Sequence, residues 1–344
     1  MKKRQLYSIL LCLALVFSLG ISCGCFLFDD SENESQNTLG GKSNTYNVKF
    51  IYNNGTSEKV VQVKSGYTVA TPDDPTKTNY TFTGWYTDSY LYSKYDFSQP
   101  VTSNLTLYAG YELDAVKITN EISLNTIKSI VKIYNKSYNT FLGITTSYSI
   151  SQGSGFCFRS QSGYYYILTN CHVAKKNPDY SKQEITVEDY RGNTYTGYIY
   201  KNSNKSYDAI SANYDLACIY FKSSSTNVKA LNFGSSDPTK YDDIISLGAP
   251  HNQTNFITYG KVNNYRAITL NNTSTSMSNV KFNVIEHTAY IDGGSSGGPL
   301  LNTNLQVIGV NYAGTSKTAN ATYYYSYSIP VSKVQEFLRQ YVYN

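Results

Sequence analysis

The chain has 344 residues, room for a leader and two folded domains at roughly 100–200 residues each. Charged residues supply only 15 % of it against about 25 % in an average domain, and its polarity comes from Ser, Thr, Asn and 36 tyrosines, a composition suited to pleated strands. The formal net charge is +5, but Lys2, Lys3 and Arg4 sit at the extreme N-terminus and no basic cluster with interleaved aromatics follows, which argues against a nucleic-acid partner.

The chain opens on a leader. Lys2-Lys3-Arg4 precede an apolar run from Leu6 to Ile21, broken only by Ser8 and Ser18, that exits through Ser22-Cys23-Gly24-Cys25. A basic start, a short apolar core and a small-residue exit describe a secretory signal over residues 1–22. The run is short for a bilayer-spanning helix, which needs ~20 residues. Gly20-Ile21-Ser22-Cys23 resembles a bacterial lipobox, with Gly where Leu is usual, and Ser22-Cys23-Gly24-Cys25 is a second candidate. The resemblance implies lipidation of Cys23, whose acyl chains would tether a cell-surface lipoprotein to the membrane. Cleavage with release is the plain alternative. Residues 23–45, which include Asp29-Asp30, Glu32, Glu34 and Gly40-Gly41, read as a flexible polar tether.

Strand signals begin at Tyr46. Tyr46, Val48, Phe50 and Tyr52 alternate with polar residues, and Asn53-Asn54-Gly55 supplies a turn. Val61 and Val63, then Tyr80 to Tyr86, then Leu105 to Ala109 mark further strands of a small β-rich domain over 46–112. The order Val48-x-Phe50, Asn54-Gly55, Gly66-Tyr67-x-Val69, Pro75-Thr76, Tyr80-x-Phe82-x-Gly84-Trp85-Tyr86 and Leu105-Thr106-Leu107-Tyr108-Ala109 resembles the surface repeat of internalin-type bacterial proteins. That resemblance implies a β-grasp-like fold, used as a spacer or to bind a cell-surface ligand. With no His or Cys in 46–112, the module carries no catalytic signal. Residues 113–125 read as a linker.

From residue 126 to 344 short apolar alternations recur between Gly-, Asn- and Ser-rich turns, the pattern of a β-barrel or sandwich. One helix closes the chain: Val331, Val334, Phe337, Leu338 and Tyr341 share a face, and Ser332 with Gln335 has capping-box spacing. Three segments carry chemistry. Tyr166 to Thr169 is an apolar strand that delivers His172 near its end, where a side chain with a pKa close to neutrality can be held as a general base. Asn213-Tyr214-Asp215-Leu216-Ala217 places an acid at the start of another apolar strand, where it can orient an imidazole. Asp208 competes for this role in a poorer context. Gly293-Gly294-Ser295-Ser296-Gly297-Gly298-Pro299-Leu300 is the third: glycines around a serine allow a tight turn whose amides point at a developing oxyanion.

Gly-x-Ser-Gly-Gly-Pro-Leu, Leu-Thr-x-x-His-Val and Asp-Leu-Ala, in that His, Asp, Ser chain order, resemble the trypsin-like serine proteases. Ser246-Leu247-Gly248-Ala249-Pro250, Thr258-x-Gly260-x-Val262 and Tyr327-Ser328-Ile329-Pro330 extend the likeness to HtrA-related bacterial members over about residues 126–342. The family implies an all-β two-barrel fold with a C-terminal helix, and a serine endopeptidase that needs no cofactor and acts on protein or peptide substrates. It implies His172, Asp215 and Ser296 as the triad, the amides of Gly294 and Ser296 as the oxyanion hole, and Tyr290, Tyr312, Ala313 and Gly314 along the substrate. Ser295 stands where digestive trypsins have Asp, so zymogen activation by a new N-terminus is not expected, nor is a PDZ domain after the helix. Cys157 and Cys171 lie near a family disulfide, but Cys171 precedes His172 where the family's cysteine follows it, which disfavours the bridge. Cys218 reads as a buried apolar residue, and His251 and His287 as structural, although His287 could also line the specificity pocket. Cysteine and histidine spacing argues against a metal site. Two rivals remain open at this stage: a catalytically silent protease-fold adhesin, and an esterase with the same triad.

Overall fold

The computed structural model describes residues 44–250, 256–270, 279–314 and 325–343; the leader, Cys23 and nearly all of the tether lie outside them, as does His251. Among the described residues no helix is long and apolar enough to cross a membrane.

The first module is a four-stranded sheet. Its strands are β1 (Thr45–Ile51), β2 (Lys59–Lys64), β3 (Tyr80–Tyr86) and β4 (Leu105–Leu113), in the order β2-β1-β4-β3 with β1 and β4 parallel. Period-2 alternation puts Val48, Phe50, Trp85, Leu107 and Ala109 on one face, where they form the core. Trp85 is its centre, with the rings of Phe50, Tyr52 and Phe82 packed edge-on at 5.0, 5.4 and 5.8 Å. The module is docked on the second one. Tyr80 Oη donates to Asp243 Oδ2 at 3.0 Å and Asn79 Nδ2 donates to the Thr303 carbonyl at 2.6 Å.

The stretch read as a linker is ordered structure. Asp114 caps helix α1 (Ala115–Leu124) by accepting from the Lys117 amide, and Ile118 and Ile122 are fully buried in the core of the second module. Their i, i+4 spacing was an apolar helix face that the short length of the segment concealed.

The second module consists of two six-stranded barrels. The first takes β5 (Ile130–Phe141), β6 (Ile144–Gln161), β7 (Tyr164–Thr169), β8 (Lys182–Glu188), β9 (Thr194–Ile199) and β11 (Leu216–Lys222); β10 (Ile210–Ser211) adds a short edge pairing to β11. The ring closes where β11 meets β9, with Ile219 opposite Ile199. The second closed barrel has the order β12 (Asp243–Gly248), β13 (Phe256–Arg266), β14 (Val284–His287), β17 (Ser326–Pro330), β16 (Val307–Gly314) and β15 (Pro299–Leu301).

Strand periodicity decides what lies between the barrels. Along β11, Ala217, Ile219 and Phe221 fill the first barrel, whereas Leu216 and Cys218 point out of it into a larger cluster with Phe156, Leu168, Leu247, Tyr312 and Phe337. That cluster welds the two barrels and the terminal helix together. Helix α3 (Val331–Phe337), extended by one π-turn through Val342, buries Val331, Val334, Phe337 and Leu338 as its periodicity requires. The capping box does not form: Ser332 lies inside the helix, and its amide and hydroxyl both bond to Asp237, at 2.8 and 2.6 Å.

Candidate functional site

The site is built where strand ends of the first barrel meet a loop of the second. Strand β7 stops at Thr169, Asn170 is extended, and a single helical turn, α2 (Cys171–Ala174), follows. That turn lifts the His172 side chain out of the strand. Across from it, Asp215 sits one residue before β11 in a left-handed conformation, φ 48°, which aims its carboxylate back at the turn. Asn170 Nδ2 holds the Asp215 carbonyl at 3.0 Å. Asp215 Oδ1 accepts from the His172 amide at 3.0 Å and Oδ2 is 2.6 Å from His172 Nδ1. Asp215 is completely buried and the His172 side chain is 11 % exposed. Burial pushes the Asp215 carboxyl upward, and the imidazole and its amide pull it back toward the charged form. Asp208, the rival acid, lies beyond this contact: the His172 partner is Asp215.

Ser296 is presented by the loop between β14 and β15. Gly294 and Gly297 have φ of 97° and 88°, conformations closed to most side chains. At Gly297 the backbone presses on the Ser154 carbonyl and Thr169 Oγ1, so a Cβ there has no room. The loop is thus seated against the segment that carries His172. The Ser296 carbonyl accepts from the Ser154 amide at 2.8 Å, which ties the loop to β6.

The amides of the loop divide into two groups. Those of Gly293, Ser295, Gly297 and Gly298 donate to Asp292 Oδ1 and to the carbonyls of Asp292, Asn311 and Ser295. Those of Gly294 and Ser296 donate to no acceptor among the described residues. Two N–H groups beside a half-buried serine are thus left without an acceptor among the described residues.

Two hubs in this scaffold were not assigned roles from sequence. Ser154, fully buried, donates its hydroxyl to the Gly294 carbonyl at 2.6 Å and accepts from the Ala249 amide at 2.8 Å. A small residue between Gly153 and Gly155 on a strand was its only signature. Asn311, also fully buried, brackets the loop through its backbone: its carbonyl accepts from Gly297 and its amide donates to Gly298. Its side chain donates to the Leu247 carbonyl at 2.9 Å and accepts from Ser246 and Ser328 at 3.2 and 3.3 Å. Ser328 Oγ in turn lies 2.9 Å from His287 Nε2. Since the Ser328 proton is committed to Asn311, His287 donates through Nε2. Complete burial holds its pKa down at about 3. His287 is therefore buried inside this polar network and is not part of a pocket wall.

The residues expected along the substrate divide similarly. Tyr312 is fully buried between the barrels, where burial pushes its phenol up, so its side chain is core. The Tyr290 carbonyl accepts from Thr258 Oγ1 at 2.7 Å and its ring lies 6.1 Å from that of Phe256. Ala313 is nearly buried and Gly314 exposed. Pairing of β16 with β15 runs from Val307 to Val310, while pairing with β17 continues to Gly314. Residues 312–314 thus have one ladder edge beside the Ser296 loop not occupied by β15. Cys157, Cys171 and Cys218 are buried free thiols, the first two pushed up to about 12 by burial, and the 157–171 bridge is not formed. Among the described residues no group of His, Cys, Asp and Glu side chains could hold a metal ion.

Residues 153–310 match the trypsin-like peptidase domain. The second module has the trypsin-like two-barrel fold. Over 225 residues the chain is 30 % identical to the serine protease Do-like HtrB of Bacillus subtilis, which covers 63 % of this chain and 44 % of that protein. It is 29 % identical over 194 residues to the serine protease Do-like HtrA of the same organism, 54 % of this chain and 39 % of that one. The chain thus spans less than half the length of these relatives. A solved M. tuberculosis protease, Rv3671c in its active form, aligns with 67 % of this chain and 87 % of its own at 18 % identity and a TM-score of 0.48. Residues 46–110 match the Listeria-Bacteroides repeat domain, a different designation from the internalin-type repeat expected from the sequence.

Proposed function

We propose that this protein is a serine endopeptidase in which Ser296 attacks the peptide carbonyl, His172 accepts its proton and returns it to the leaving amine, and Asp215 orients and charges-balances His172. The observation that carries the reading is the pairing of a buried 2.6 Å Asp215–His172 contact with two undonated amides, Gly294 and Ser296, around one serine. Those amides would hold the oxyanion, a contribution of about 10²–10³ in rate per donor. The edge of residues 312–314 suits an extended peptide added as a strand, which favours a peptide over a simple ester as substrate. Water then hydrolyses the acyl-enzyme, and no cofactor enters.

The reading includes display at a bacterial membrane surface through Cys23, with the repeat docked on the catalytic module as a fixed spacer. Labelling with a fluorophosphonate probe, beside Ser296→Ala, tests the chemistry. Labelling of the folded wild type alone is expected; equal labelling of both, or none, overturns it. Cys23→Ser should move the protein from the membrane fraction to the medium, and unchanged fractionation would remove the anchor from the proposal.

A further inference from the structure

We propose that the first barrel carries an oxyanion-binding site, selective for a phosphate group over a carboxylate, in the cavity bounded by Lys128, Arg191 and Lys229. The cavity has a volume of about 350 Å³ and is lined by these three cations together with Tyr190, Thr226 and Asn227. That size accommodates a small phosphorylated molecule, and it falls within the usual range of ligand sites. None of its residues lies on the segments that carry His172, Asp215 or Ser296.

Charge is the first argument. Three cations converge without a carboxylate among the lining residues, and none of the three forms an ion pair with a described residue. The backbone fixes two of them side by side, because the Lys229 amide donates to the Lys128 carbonyl at 3.3 Å. The nearest acid, Asp189, is already consumed. Its carboxylate accepts from the Arg191 and Asn193 amides, from Asn193 Nδ2 and from Tyr195 Oη. Burial alone would raise that carboxyl; these donors hold it below its usual range, so it stays charged, and Thr226 Oγ1 on the cavity wall also donates to it, at 3.4 Å. The charges of Lys128, Arg191 and Lys229 are left for an anion to balance.

The placing of Arg191 is the second argument. Its guanidinium lies 5.2 Å from the ring centre of Tyr190, which lines the cavity, and with the Asn227 amide turned so that its oxygen faces Arg191 that oxygen accepts at 3.2 and 3.3 Å. The cavity therefore offers ammonium and guanidinium donors. A doubly charged tetrahedral anion matches such a set better than a single carboxylate does.

The test is calorimetric titration of the secreted protein, both modules intact, at low salt with glycerol phosphate, inorganic phosphate, acetate and glycerol. Single-site binding of both phosphates is expected, at least tenfold tighter than acetate, with glycerol silent. The triple variant Lys128→Gln/Arg191→Gln/Lys229→Gln should lose binding. It should keep the wild-type rate of fluorophosphonate labelling and unfold at the same temperature as the wild type or higher, since like charges have been removed. Absence of phosphate binding overturns the proposal. So does binding that survives the triple substitution, or acetate binding as tightly as phosphate.

Discussion

Replacing Ser154 by Ala separates the scaffold of the site from its chemistry. The substitution deletes one hydroxyl that both donates to the Gly294 carbonyl at 2.6 Å and accepts from the Ala249 amide at 2.8 Å. Ala249 and Ser154 are buried, so water does not replace the lost partner. Leaving a buried polar group unsatisfied costs about 1–3 kcal/mol, and with two groups affected the fold should lose about 2–4 kcal/mol. The larger effect falls on Gly294. The Ser154 bond pins the peptide plane that follows Gly294, and once it is lost the φ and ψ of Gly294 that set the direction of its own amide are less firmly held. A displacement of about 1 Å at a reacting centre costs about 10² in rate. Labelling of folded Ser154→Ala by a fluorophosphonate should therefore slow about a hundredfold, kcat for a peptide should fall similarly, and KM should change little. Thermal unfolding under the labelling conditions establishes how much protein is folded. A variant that unfolds earlier but labels at the wild-type rate would show that Ser154 is only packing, and would refute the link from the hydroxyl to the oxyanion amides.

Asp215→Asn keeps the shape of its site but presents the wrong partner to His172 Nδ1, so kcat at neutral pH should fall by about 10⁴ with little change in melting temperature. Gly297→Ala should abolish labelling and destabilise the fold by more than about 3 kcal/mol, as read by urea unfolding, because φ 88° and the Ser154 carbonyl both exclude a Cβ. His287 predicts a pH dependence. Its pKa is about 3 when folded and 6.5 when free, so below pH 6.5 the unfolded chain takes up a proton that the folded one refuses. This contribution is intact above pH 6.5 and is lost as pH falls toward about 3, at up to about 1.4 kcal/mol per unit; His287→Gln should lack this slope, which should therefore appear in the difference between wild type and variant. Because Cys157, Cys171 and Cys218 are free, dithiothreitol should leave the melting temperature unchanged; a drop would reveal a bridge.

Local patterns in the sequence already determine much of this protein. Alternation along Tyr46 to Tyr52 and Asp215 to Phe221 specifies strands because side chains on a pleat point to opposite faces. Glycines at 294 and 297 specify a turn that other residues would strain. His172 and Asp215 each stand at the end of an apolar strand, but it was the resemblance of Leu-Thr-x-x-His-Val and Asp-Leu-Ala to the trypsin-like motifs that implied their pairing. What the sequence could not decide are relations between segments far apart in the chain. Ser154 and Asn311 look like ordinary strand residues until the two barrels close on Gly294, Gly297 and Gly298. The segment 113–125 becomes a helix with a buried face because the core it covers is assembled from both barrels. Tyr312 and His287 turn out to be interior because closure of the second barrel leaves their side chains no route to solvent. Lys128, Arg191 and Lys229 form one cavity only after β-strand pairing brings three separate loops together. Burial and hydrogen-bond satisfaction act through space, and only the tertiary structure states which groups share it.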